Sequence, residues 1–138
     1  MKNNKGFTIS ELVFVFLIIF ILGLLMMPLV QINRAKRDNN ICINNLQKIG
    51  IGMYIYAIEH DKKFPDSIEE LYQKKYIANT GLLDCPRSKN VGGVDSPDYI
   101  YHAGFSASND SFAVLLEDKN GNHAKRGKNV LYVNGSVA

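Results

Sequence analysis

The chain has little of the material from which catalytic sites are built. Its 138 residues include three histidines and two cysteines. His60, His102 and His123 are scattered, with no H-x-x-x-H pair and no cysteine at ligand spacing, so no metal motif is legible. A nucleophile–base pair and a phosphate-cradling glycine loop are also lacking, and the expectation is a protein that is not an enzyme. Charge of one sign is scarce too. Sixteen Lys and Arg against thirteen Asp and Glu leave a formal +3, too small and too dispersed to make bulk nucleic-acid binding the default. No internal repeat is visible.

What the chain does have is one long apolar run. After the polar, basic stretch Met1–Gly6 and a single acid at Glu11, the nineteen residues Leu12–Val30 carry no charge. A helix needs about 20 residues to cross ~30 Å of hydrocarbon. A secretory signal would have a shorter apolar stretch and a small-x-small cleavage site after it. Gln31-Ile32-Asn33-Arg34 provides no such site, so the segment is expected to be kept. Lys2 and Lys5 precede the span while Arg34, Lys36 and Arg37 follow it, so basic residues leave its orientation open.

The helical pattern starts at Thr8 and continues for some fifty residues, interrupted by Gly23 and Pro28. Pro28 lacks an N–H, and a proline inside a helix costs roughly 3 kcal/mol in water. The position reads either as a tolerated kink or as a place where the segment can lose helical structure. Beyond the polar stretch 31–40, Cys42, Leu46, Ile49, Met53, Tyr56 and Ala57 make one apolar stripe, with Asn44, Asn45, Gln47 and Lys48 largely off it. Phe64-Pro65 predicts the helix end near His60-Asp61. Ser67 and Glu70 form an S-x-x-E capping box that opens a second, short helix. Residues 77 to 98 read as loop. Three strands are predicted at Tyr99–Ala103, Phe112–Glu117 and Asn129–Val133, with turns at Ser108-Asn109-Asp110 and Asn120-Gly121-Asn122. Asn134-Gly135 is a hairpin signal with only a very short strand after it. Cys42 and Cys85 would form a disulfide if exported, and would be two small buried residues if not.

Glu11 is the most informative residue. A carboxylate at the hydrocarbon boundary is costly, and either the N–H groups at its own helix start or a cation from another chain could compensate it. Lys5-Gly6-Phe7-Thr8-Ile9-Ser10-Glu11, followed by the apolar run, resembles the N-terminus of type IV pilins and type II secretion pseudopilins. The resemblance implies cleavage after Gly6 by a membrane prepilin peptidase and N-methylation of Phe7 by the same enzyme. It implies that Glu11 registers each subunit against the Phe7 amine of a neighbour, and that the helix can melt near Gly23 and Pro28. Ser10 departs from the family, which more often has an apolar residue there.

The fold this implies is α+β: a long helix, membrane-spanning in its first half and amphipathic in its second, packed on a small antiparallel sheet. Residues 1–6 would be a leader, 7–30 the transmembrane and filament-core helix, and 31–138 the head. The head would lie in the periplasm while the chain is a single-pass inner-membrane protein in lipid. The chain would then join a helical polymer of pilin subunits through an inner-membrane assembly platform, at or near the cell surface. In an oxidising compartment the disulfide becomes the expected state of Cys42 and Cys85, which enclose 42 residues; such a closure is worth roughly 3–4 kcal/mol.

A weaker likeness links Cys42–Gly50, Tyr56, Phe64-Pro65 and Cys85-Pro86 to a bacterial pilin-like subgroup. That subgroup ends in His, nine residues and Asp-Gly. Here His123, ten residues and Asn134-Gly135 stand instead, so no role is carried over from the Asp. No cofactor is expected. Calcium, which binds a loop in some pseudopilins, would draw on Asp95, Asp98 and the 118–122 loop, whose glycine is misplaced for a standard calcium loop. Lys125, Arg126 and Lys128 form a basic tip that is ordinarily a solvated hairpin. Two rival readings are a minor pilin whose head binds DNA or a surface through that tip, and a membrane-anchored protein that never assembles.

Overall fold

The computed structural model describes residues 8–123 and 127–138. These fall into two units, Met1–Lys36 and Arg37–Ala138. Among the described residues of the first lies a stretch of helix α1, which runs Ile9–Glu59 and holds Pro28 without a break. It is long and apolar enough to cross a membrane, and none of its apolar window is buried within the chain. Gly23 lies in open surroundings, with no atom within 4 Å of where a side chain would begin.

In the second unit the continuation of α1 is the spine of the core. All six residues of the predicted stripe, Cys42, Leu46, Ile49, Met53, Tyr56 and Ala57, are buried. Asn45, expected off the stripe, is buried as well. It is tolerated there because its Nδ2 donates to the Asp84 carbonyl at 3.1 Å, satisfying a polar group that would otherwise be costly. The helix ends one residue before the predicted stop. Asp61 and Lys62 turn to positive φ, and the Lys62 N–H closes the end on the Ala57 carbonyl at 2.8 Å.

Helix α2, Ile68–Gln73, starts where the capping box predicts, and the Ser67 side chain accepts from Glu70 N. The return bond is displaced by one residue. Glu70 Oε2 accepts the N–H of Asp66 at 3.0 Å rather than that of Ser67. The loop predicted over 77–98 contains one turn of 3₁₀ helix, Thr80–Leu83, which is capped by the Asn79 side chain and buries Leu83.

Strands β1 (Tyr99–Tyr101), β2 (Val114–Asp118) and β3 (Val130–Tyr132) form an antiparallel sheet in the order β1-β2-β3. They overlap the three predicted strands and are shorter. The register between β2 and β3 shifts between Val114 and Leu116. This bulge lets the consecutive Leu115 and Leu116 both be fully buried, which a regular period-two strand would forbid. At Asn134-Gly135, Gly135 takes φ +82° and its N–H closes on the Tyr132 carbonyl. The last residues return along β3, with Val130 and Ala138 exchanging hydrogen bonds of 2.8 and 3.0 Å. The architecture is α+β and pilin-like, as expected.

Candidate assembly site and the buried thiol pair

Gly6 and Phe7, the expected processing site, lie outside the described residues, as do Lys125 and Arg126. Glu11 is described and exposed. Its Oε2 accepts both the N–H of Thr8, at 2.9 Å, and the Thr8 hydroxyl, at 2.8 Å. Glu11 N in turn lies 3.4 Å from Thr8 Oγ1. The carboxylate therefore caps its own helix through a T-x-x-E pair, the helix-start alternative expected for it from the sequence. Both contacts fall on one oxygen of the two.

The two cysteines lie far apart in sequence and the fold brings them together. Cys42 comes from α1 and Cys85 from the loop after the 3₁₀ turn. Both are buried, and Cys42 Sγ donates to Cys85 Sγ at 3.0 Å. That hydrogen bond holds Cys85 below the ordinary thiol range and, together with burial, pushes Cys42 above it.

The loop is held by Asp98, which is itself buried. Its Oδ2 accepts Cys85 N at 2.9 Å and its Oδ1 accepts the Ser88 hydroxyl at 2.8 Å. Gly92 fits against this clamp because it has no side chain; a Cβ there would stand 2.2 Å from the Leu83 carbonyl oxygen and 2.8 Å from Asp98 Oδ2.

His123, scattered in sequence, completes the group. Its Nε2 lies 3.4 Å from Cys85 Sγ and 3.7 Å from Asp118 Oδ2. Asp118 is fully buried at the end of β2 and accepts Asn129 N at 3.0 Å and Asn129 Nδ2 at 2.6 Å on Oδ2. Sequence spacing gave no sign of this cluster, since its members stand on four separate segments.

The groups named for calcium are otherwise occupied or apart. Asp98 serves the Cys85 loop, Asp118 faces His123, and Asp95 is exposed. Of the basic tip, Lys128 pairs with Glu117 at 2.9 Å. A carboxylate thus already neutralises the one described member of the proposed DNA contact.

The chain is 32% identical over 89 residues to the ComG operon protein 3 homolog of Bacillus licheniformis, covering 64% of this chain and 89% of that protein. It is 28% identical over 89 residues to the competence protein ComGC of Halalkalibacterium halodurans, covering 64% of this chain and 83% of that one. The chain belongs to the ComGC family of pilin-like proteins. No protein-family model and no solved structure matches it. The ComGC assignment places it within the type IV pilin class that the Gly6–Glu11 motif resembles.

Proposed function

We propose that the chain is a structural subunit of a competence pseudopilus, held in the membrane by the first half of α1 until it is drawn into the filament. The observation that carries this reading is the uncovered apolar surface of that helix. Phe14, Phe16, Phe20 and Leu25 are each more than 60% exposed, although burying such a side chain is worth about 1.5–3 kcal/mol. Hydrocarbon covers this surface before assembly and neighbouring copies of the helix cover it afterwards. The outer face of the same helix in the head carries Ile51, Ile55 and Ile58, spaced four and three apart and all exposed, which suits lateral packing. The ComGC relatives support competence as the setting.

In this reading a prepilin peptidase cuts after Gly6 and methylates Phe7, and an assembly platform extracts the subunit. Glu11 keeps one oxygen on Thr8 and offers the other to the Phe7 amine of a neighbour, fixing register because an unpaired charge in the apolar core is penalised. Gly23 and Pro28 are the positions at which α1 gives up helical structure on assembly. The head is exported and Cys42 and Cys85 are joined there. The test is the intact mass of the chain from cells, together with electron microscopy of the sheared surface fraction. A chain that starts at N-methylated Phe7 and appears in filaments is expected. An intact Met1 with no filaments would overturn the proposal.

A further inference from the structure

The cluster around His123 goes beyond a pair of cysteines awaiting oxidation. We propose that, while both thiols are reduced, Cys42, Cys85 and His123 bind one thiophilic divalent cation of the zinc class, beside the buried Asp118 carboxylate. The three ligand atoms lie within 4.8 Å of one another and all three residues are buried.

The sulfur–nitrogen separation already suits a tetrahedral ion. Bonds of ~2.3 Å to sulfur and ~2.0 Å to nitrogen or oxygen space a sulfur and a nitrogen about 3.5 Å apart, and a nitrogen and an oxygen about 3.3 Å apart. The corresponding distances are 3.4 Å from Cys85 Sγ to His123 Nε2 and 3.7 Å from His123 Nε2 to Asp118 Oδ2. The sulfurs, 3.0 Å apart, would have to open to about 3.8 Å. One imidazole nitrogen therefore faces both a sulfur and a carboxylate, which is the convergence an ion at their centre requires.

A second observation points the same way. Asp118 Oδ1 is fully buried and, among the described residues, has no hydrogen-bond partner. An orphaned carboxylate oxygen in the interior costs free energy, and a cation bound beside it would offset that cost. The other oxygen is held by Asn129, and Cys85 is oriented through its N–H by Asp98, so both Asp118 and the Cys85 ligand already have supporting hydrogen bonds. A surface hollow of about 190 Å³, lined by Asp118, Gly121, His123 and Gly127 among others, leads to the histidine and provides an entry path. Binding releases the thiol protons to solvent and leaves two thiolates and a neutral imidazole on the ion. A disulfide and the cation exclude one another, because the disulfide consumes both sulfur ligands.

The experiment uses the full chain in detergent micelles, reduced with a phosphine and stripped of metal, then titrated separately with Zn²⁺ and Co²⁺. One Zn²⁺ per chain is expected. Co²⁺ should give the intense visible absorption of a tetrahedral site with a near-ultraviolet thiolate-to-cobalt band, and added Zn²⁺ should abolish both. His123→Gln should weaken Zn²⁺ binding by about tenfold or more, and Cys42→Ser should diminish the thiolate band. The wild-type titration stands even if a variant fails to fold. A pale octahedral cobalt spectrum, or Zn²⁺ uptake unaffected by both substitutions, would overturn the inference. Chain oxidised to the disulfide should take up no Zn²⁺ at this site. If reduced chain binds none while chain from cells is disulfide-linked and filamentous, this inference fails and the pseudopilus reading stands.

Discussion

Asp98 reaches back across thirteen residues to accept the backbone N–H of Cys85 at 2.9 Å, with its second oxygen on Ser88. The position of the second cysteine thus depends on a side chain at the edge of the sheet. Asp98→Ala leaves a buried N–H without an acceptor. A loss of about 1.5–3 kcal/mol is expected, the usual range for a hydrogen bond to a charged group. Urea unfolding of the head in micelles measures it, and an unchanged midpoint would remove the clamp from the account.

Gly92 and Gly93 offer an internal control. Alanine at Gly92 collides with the Leu83 carbonyl and the Asp98 carboxylate, whereas alanine at Gly93 meets nothing within 4 Å. Gly92→Ala should cost about 1–3 kcal/mol through forced backbone shifts, and Gly93→Ala should stay within about 0.5 kcal/mol. Equal midpoints for the two variants would contradict the geometry.

A pH dependence follows from Glu70. Its carboxylate is held at about 2, against 4.5 for an unperturbed group, by Lys74 first, then by the Tyr56 hydroxyl and the Asp66 N–H. Because the folded value is depressed, the stabilisation is fully present above pH 4.5 and disappears as pH falls toward 2. Thermal unfolding of the head should therefore weaken across that window, and Glu70→Gln should flatten the decline. At neutral pH the same change should cost about 1 kcal/mol. Parallel pH profiles for wild type and variant would exclude Glu70 as the source.

Two roles of Glu11 can be separated by charge. Glu11→Gln retains an acceptor for Thr8 and so preserves the cap, yet removes the anion. If register depends on the charge, cleavage should continue while filaments fall by an order of magnitude or more, since an unpaired buried charge costs about 3–5 kcal/mol. Wild-type filament yield from Glu11→Gln would reduce the residue to a helix cap.

Chain recovered from the exported fraction should contain no alkylatable thiol before reduction. Cys42→Ser or Cys85→Ser should lower head stability by roughly 3–4 kcal/mol relative to the oxidised protein. Two free thiols in that fraction would rule out the disulfide.

Where one residue type decides its own fate, the sequence is enough. The stripe from Cys42 to Ala57 follows from helical periodicity alone, and the turn at Gly135 from an Asn-Gly pair. What periodicity cannot register is a partner supplied from elsewhere. Asn45 is buried because Asp84 meets it, and two adjacent leucines are buried because β2 bulges. The same holds with greater force for His123. Nothing within thirty residues of it contains a cysteine, and only the return of β2 and the following loop onto α1 puts its ring beside Cys85. The Thr8–Glu11 cap was legible, because a carboxylate three residues into a helix is within reach of that helix's own first N–H groups.

Cys42 stands on the helix by which a subunit would be pulled, and Cys85 belongs to the loop that helps fold the head over it. In the proposed filament, tension carried by α1 would reach each head through that helix. Without a covalent or metal link, that load is resisted by the packing of Leu46, Ile49 and Met53, which can peel away one contact at a time. If Cys42 were fastened to the Cys85 loop, the helix and the head would have to yield together, and the thiol pair would act as a rivet in the proposed polymer.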